Sequence, residues 1–345
     1  MRQRATLDVH ASALHIAPQM ARRVLGWRWA RPLLTSAGGL LLLVYVVRSV
    51  PIAVLSAHLR PQHAQPLLAL LALVLAAQVV RAVRWRCLLA PLAKVAVVDA
   101  FWINAASGLL NYVVPIRAGE AARMVWLSRR HRVAPGTALG CLVIDHTFDL
   151  CGVILVLGTG ALLSATAAAR TPSMPTLLLA LAGAVVMLAL IAGSAGFGPC
   201  LARSPLIPAR FSRRLTEHAV AFRAATGLTR SPGRLALLAA ASAAAVLFDG
   251  LAFAMLLDSL GLAVSAVSAV VAQVTILYAT VLPSAPGYVG SLEAAGTLIL
   301  SGGLGLGAGS AAGAMLVWHA AGAAVIVGLG ALALVNLRGQ FSLRP

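Results

Sequence analysis

The 345 residues are 60% hydrophobic and 10% charged, with a mean hydropathy of +0.92, whereas soluble domains carry about 25% charged residues. This excludes an ordinary soluble globular domain and defines a polytopic membrane protein. The formal charge of +18, from 27 Lys and Arg against 9 Asp and Glu, sits in short stretches flanking apolar runs. It therefore reads as the basic flanks that orient membrane spans and not as a nucleic-acid surface.

Residues 1–32 hold Arg2, Arg4, Arg22, Arg23, Arg28 and Arg31 but no early apolar core. They are expected to form a cytoplasmic basic segment and not a cleaved signal peptide. The membrane domain is expected over 33–335, with a short tail at 336–345. Spans need about 20 apolar residues, and reading for them gives 33–55, 67–83, 97–116, 137–165, 174–197, 235–257, 264–282, 291–308 and 311–335. The Arg-rich N-terminus, 81–94, 117–132 and 198–234 belong on the cytoplasmic side, against the Arg-poor and Lys-poor 56–66, 166–173 and 258–263. With 81–94 and 117–132 on one side, 97–116 cannot cross once. It is expected to be a re-entrant hairpin broken around Ser107–Gly108 or Asn111, which leaves about eight spans and both termini cytoplasmic; nine crossings with a weak violation of the charge rule are the alternative. In the loop 198–234, Phe211, Leu215 and Phe222 lie at helical spacing opposite Arg210, Arg213, Arg214 and Arg223. A helix on the anionic leaflet and a solvated basic loop both fit.

Glu120, Asp145, Asp149, Asp249 and Glu293 lie in or beside predicted spans, where charge is costly and faces a protein interior or a water-filled cavity. Asp145 and Asp149 are four apart and share a helical face. Pairing with Arg117 or Arg123 and a direct role in substrate or proton binding are both compatible with that spacing. In "PIRAGE" (115–120), Pro115 can end a hairpin limb, Gly119 allows close backbone approach, and Arg117 and Glu120 are three apart. A guanidinium fork at membrane depth suits a phosphate oxyanion; a guanidinium snorkelling to the headgroups is the plainer reading. "LPSAPGYVGSLEAAG" (282–296) reads as a broken helix, with a new N-terminus near Gly290 offering amide donors to an anion. Pro, Gly and Glu recur at 115–120 and 283–293, which allows an inverted repeat.

His146, His319, Asn104, Asn111 and Gln273 are expected to be satisfied interhelical hydrogen-bond partners. Cys87, Cys141, Cys151 and Cys200 lack ligand spacing and read as packing residues. No nucleophile, metal or nucleotide motif is present, so no cofactor and no metal are expected.

Four stretches in this order, "RAVRWRCLL" (81–89), "NYVVPIRAGEAARM" (111–124), "DHTFDL" (145–150) and "LPSAPGYVGSLEA" (282–294), resemble the flippase-like membrane family, also called the lysylphosphatidylglycerol synthase transmembrane region. The similarity covers about 33–335. It implies an all-α polytopic helical bundle that handles lipid, and it marks Arg84, Trp85, Asn111, Pro115, Arg117, Gly119, Glu120, Arg123, Asp149, Pro283, Pro286, Gly287, Gly290 and Glu293 as motif positions. Asp145–His146 departs from the Glu-Arg usual in relatives, and a His titrates near neutral pH where an Arg does not. In the multiple peptide resistance factors, a separate soluble domain makes aminoacylated phosphatidylglycerol; no such domain follows the last segment here, so aminoacyl transfer is not expected.

The resulting expectation is an inner-membrane lipid transporter and not an enzyme. Arg117 and Arg123 would hold a lipid phosphate, while Glu120, Asp149 and Glu293 would balance the charge. Arg84, Asn111, Asp145, Gly287 and Gly290 complete the expected substrate site. The expected partners are membrane lipids, an anionic phospholipid or glycolipid, together with lipid-biosynthesis enzymes. The alternatives are a non-catalytic partner of an envelope-biosynthesis complex and an integral-membrane lipid-modifying transferase.

Overall fold

The computed structural model describes residues 64–114, 118–166, 231–279 and 285–337. The expected segments 33–55 and 174–197, the basic N-terminus, the loop 198–230 and the tail from 338 lie outside the described residues.

All regular structure among the described residues is helical: α1 (Ala64–Leu89), α2 (Val97–Val113), α3 (Ala118–His131), α4 (Pro135–Thr166), α5 (Pro232–Ser259), α6 (Ala266–Ala279), α7 (Ser291–Leu298) and α8 (Ala308–Leu337). Four of them, in α1, α4, α5 and α8, carry apolar stretches of 22, 26, 28 and 30 residues. At about 1.5 Å per residue each exceeds the roughly 30 Å hydrocarbon core. Ala- and Leu-rich composition favours the helix, and in hydrocarbon the helix is also the local way to satisfy every backbone amide.

The order long, short, short, long occurs twice, as α1–α2–α3–α4 and α5–α6–α7–α8. Contacts follow the same pattern: α1 packs on α5, α8 on α2, and α4 on α6. Each short pair also begins its second helix with an acid in the first turn, Glu120 in α3 and Glu293 in α7.

The first short pair corrects the expected hairpin. Val97–Val113 is one continuous helix, unbroken at Ser107, Gly108 or Asn111. The break comes at Val114, which is extended at φ −107°, ψ 118°, the conformation that a following proline enforces. The returning limb is α3, and His131 in its last turn lies within electrostatic reach of Asp99 in the first turn of α2. Asn111 does not break the helix because its side chain serves the hairpin: its Oδ1 accepts from the Gly119 amide at 2.8 Å. In the second pair, 264–282 and 291–308 do not form two full spans. α6 has 14 residues and α7 only 8, followed by a π-helical turn at Ile299–Gly303.

Among the described residues three large apolar cores hold the bundle. One joins Trp85 and Leu88 of α1, Ile103 of α2, Trp126 and Leu127 of α3 and Ile144 of α4. A second gathers Phe253 and Leu256 of α5, Ile276 of α6 and Met315 of α8, and a third sets Val153 and Leu157 of α4 against Val270 and Val274 of α6. The first core seats the residues described next.

Candidate functional site

α1 reaches its C-terminal half with Arg81, Arg84 and Trp85 on neighbouring positions of one turn. Arg84 points inward and is 3% exposed. Its Nη2 lies 2.9 Å from Asp145 Oδ1, and its Nη1 donates to Asp149 Oδ1 at 2.5 Å and to Ser242 Oγ at 2.7 Å. The four-residue spacing on α4 thus aims two carboxylates at one guanidinium.

A second guanidinium arrives from α3. Arg123 Nη2 donates to Asp145 Oδ2 at 2.9 Å, and Nη1 lies 3.6 Å from Glu120 Oε2. The guanidinium also stacks over Trp85, 4.3 Å from the ring centroid, a contact that strengthens when desolvated. Asp145 is therefore the buried anion shared by both arginines. Around the rim, Asn111 donates to Glu120 Oε1 at 3.2 Å, and His146 sits 3.6 Å from both Glu120 and Asp149.

The network has a dry side and an open side. Side-chain exposure is 3% for Arg84 and 5% for Asp145, against 43% for Asp149, 35% for His146 and 21% for Glu120. Two guanidiniums face three carboxylates, so both cations are already neutralised. Close approach at the hairpin is permitted by Gly119, since a Cβ there would strike the Ser107 carbonyl of α2.

The second expected cluster forms around the start of α7. Gly287 and Gly290 have φ of 71° and 80°, values a glycine adopts at little cost. Glu293 is buried; its Oε2 accepts from the Gly290 amide at 2.8 Å, and its Oε1 lies 2.5 Å from His319 Nδ1. The other ring nitrogen of His319 meets the Tyr112 hydroxyl at 2.9 Å. Of the expected amide end, the Gly290 amide itself is taken by Glu293 three residues on, half of a capping box, because a glycine has no side chain to answer the amide of its third helical residue.

A multi-pass membrane bundle with charge gathered inside it matches one known family over nearly its whole length: the lysylphosphatidylglycerol synthase TM region, over residues 29–330. The chain belongs to that family. It is accordingly a multi-pass membrane protein related to lipid handling. No curated protein matches it, and no solved structure does.

The expected site residues fall into two groups. Arg84, Asn111, Glu120, Arg123, Asp145 and Asp149 meet in the ion-pair network. Gly287, Gly290 and Glu293 meet in the second cluster, and Arg117, Pro115 and Pro283 lie outside the described residues. Arg123 is no free anion receptor, since Asp145 and Trp85 occupy it. His146, Asn111 and His319 have partners as expected, but Gln273 and Asn104 each keep a buried side-chain oxygen with no partner among the described residues.

Sequence reasoning missed four contributors. Ser242 carries no motif and is found only through its bond to Arg84. Tyr112 and Tyr288 lie inside quoted stretches but were given no role. Arg81 was counted as a cytoplasmic flank, yet it forms an ion pair with Asp249 of α5. The available signal was its spacing, three residues before Arg84 and on the same face. Among the described residues no cluster of His, Cys, Asp and Glu could hold a metal ion.

Proposed function

We propose that this protein is an inner-membrane lipid transporter, moving a polar-headed lipid, phosphate-bearing or glycosylated, between leaflets, with both termini cytoplasmic. It carries out no covalent chemistry and uses no cofactor. The observation that carries this reading is the open rim of the ion-pair network: Asp149, His146 and Glu120 stay partly exposed at the edge of an otherwise buried cluster. Charges kept only for packing would be sealed, since each charge at membrane depth costs about 2.5–3.5 kcal/mol on insertion scales.

A head group at this rim exchanges water for side-chain partners, while its acyl tails stay in the bilayer. A phosphate reaches Arg84 by taking the place of Asp149, the most exposed of the network's carboxylates. A hydroxylated head instead bonds to Glu120, His146 and Asp149. In either case the rim lowers the several-kcal/mol cost of burying unpaired polar groups in hydrocarbon.

The test is lipid translocation in proteoliposomes, with fluorescent phospholipid and glycolipid probes and a membrane-impermeant quencher. Wild type moves at least one probe, and for a hydroxylated head Glu120→Gln and Asp149→Asn slow it about tenfold, the size of one lost charge-assisted hydrogen bond. A wild-type protein that moves none of the lipids of its own membrane contradicts the proposal.

A further inference from the structure

A second feature lies along the same face of α1, on the N-terminal side of Arg84. A cavity of about 480 Å³ opens between α1, α5, α6 and α8, within the range of roughly 300–1,000 Å³ that holds small ligands. Most of its wall is hydrocarbon, with Leu70, Val74, Ile276, Leu292, Trp318 and Ile326 among the lining residues. The polar part of the wall is made of groups that are either neutral or already paired.

Arg81 and Asp249 line it as an ion pair. His319 lines it with both ring nitrogens engaged, one by Glu293 and one by Tyr112. Neither pair leaves a cation in reserve for an anionic head. Gln78, Gln273 and Tyr288 contribute two amides and a hydroxyl to the same wall. Gln273 is 6% exposed, and its Oε1 has no hydrogen-bond partner among the described residues. A buried amide oxygen without a partner is costly and rare, so hydrocarbon alone is a poor occupant of this cavity.

We propose that this cavity binds an amphiphile with one apolar chain and an uncharged head that both donates and accepts hydrogen bonds, a hydroxyl or amide head, with Gln273 and Gln78 as its partners. The chain lies along the aliphatic wall of α1 and α8. The amide of Gln273 both donates and accepts, so it matches a hydroxyl and has no preference for a bare oxyanion. This deepens the transport reading by naming a class of head group and rests on that reading only for its biological meaning. Occupancy is measured at equilibrium, so binding can hold while translocation fails, and the reverse.

The test uses the full chain in nanodiscs and a monoacylglycerol bearing a photoreactive diazirine in its acyl chain. Unlabelled monooleoylglycerol and oleoyl lysophosphatidate compete for it, and labelled peptides are mapped by mass spectrometry. Label falls on α1, α6 and α8, monooleoylglycerol competes about tenfold better than the phosphate-headed lipid, and Gln273→Leu weakens binding about tenfold, the effect of one hydrogen bond. Gln78→Leu gives the same reading if Gln273→Leu does not fold. Equal or better competition by lysophosphatidate overturns the uncharged head. Label outside these helices overturns the cavity, and wild-type binding by both glutamine variants overturns the role of the amides.

Discussion

Asp145 and Asp149 occupy one face of α4, four residues apart, yet their replacement by Asn has very different expected consequences. Asp145 is 4% exposed and sits 2.9 Å from each of two guanidiniums. At an effective dielectric near 20, one such pair is worth about 4 kcal/mol, so roughly 8 kcal/mol of attraction meets at this carboxylate. Desolvation offsets part of it, and removing one partner of a buried pair typically costs about 3–5 kcal/mol. Arg84 keeps Asp149 and Arg123 keeps the longer contact to Glu120, which places Asp145→Asn in that range. Asp149 has a side chain 43% exposed, and solvent screening reduces its loss to about 1 kcal/mol or less. Equilibrium unfolding in mixed micelles measures both. Equal losses, or a larger loss for Asp149→Asn, refute the division into a dry centre and an open rim.

Gly119→Ala places a methyl against the Ser107 carbonyl and 2.7 Å from Asn111 Oδ1; since backbone cannot yield, α3 shifts away from α2. A stability loss of about 1–3 kcal/mol follows, with slowed translocation in vesicles. Gly287→Ala forces a side chain into φ 71°, with Tyr112 Cε1 at 3.3 Å. It costs roughly 1–2 kcal/mol, read as a lowered unfolding midpoint. Glu293→Ala leaves the Gly290 amide and His319 without their shared partner, a loss of about 2–4 kcal/mol for two buried groups. Glu293→Gln, which keeps an acceptor for that amide, should recover part of this loss in the same unfolding experiment.

The apolar segments that became α1, α4, α5 and α8 are legible because a span must be long and apolar all round, and composition alone shows that. The hairpin limits are not. Ser107–Gly108 looks like a breaking point, but intact backbone hydrogen bonding in the membrane outweighs weak local helix preference, and the effective stop is the proline after Val114. The acids drew attention because their cost at membrane depth demands a partner, and Asp145, Asp149, Glu120 and Glu293 each have one. Their partners were less readable. Arg123 is as close in sequence to Glu120 as Arg117 is, and only the packing of α3 on Trp85 turns it toward Asp145. Arg81 and Gln273 needed the three-dimensional arrangement, because an arginine at a span end reads as a cytoplasmic flank and a lone glutamine as a satisfied interhelical contact.

If the rim of the ion-pair network opens to water inside the membrane, thiols placed along it differ in their access to a reagent confined to water. In a chain with Cys87, Cys141, Cys151 and Cys200 replaced by Ala, His146→Cys and Thr147→Cys are compared in nanodiscs with a water-soluble, membrane-impermeant thiol reagent. His146 has a side chain 35% exposed, whereas Thr147 beside it is 5% exposed. Rapid labelling at position 146 and little at 147 are expected. Protection of both positions would mean that the cluster is sealed or faces lipid, and would contradict a lipid route through this site.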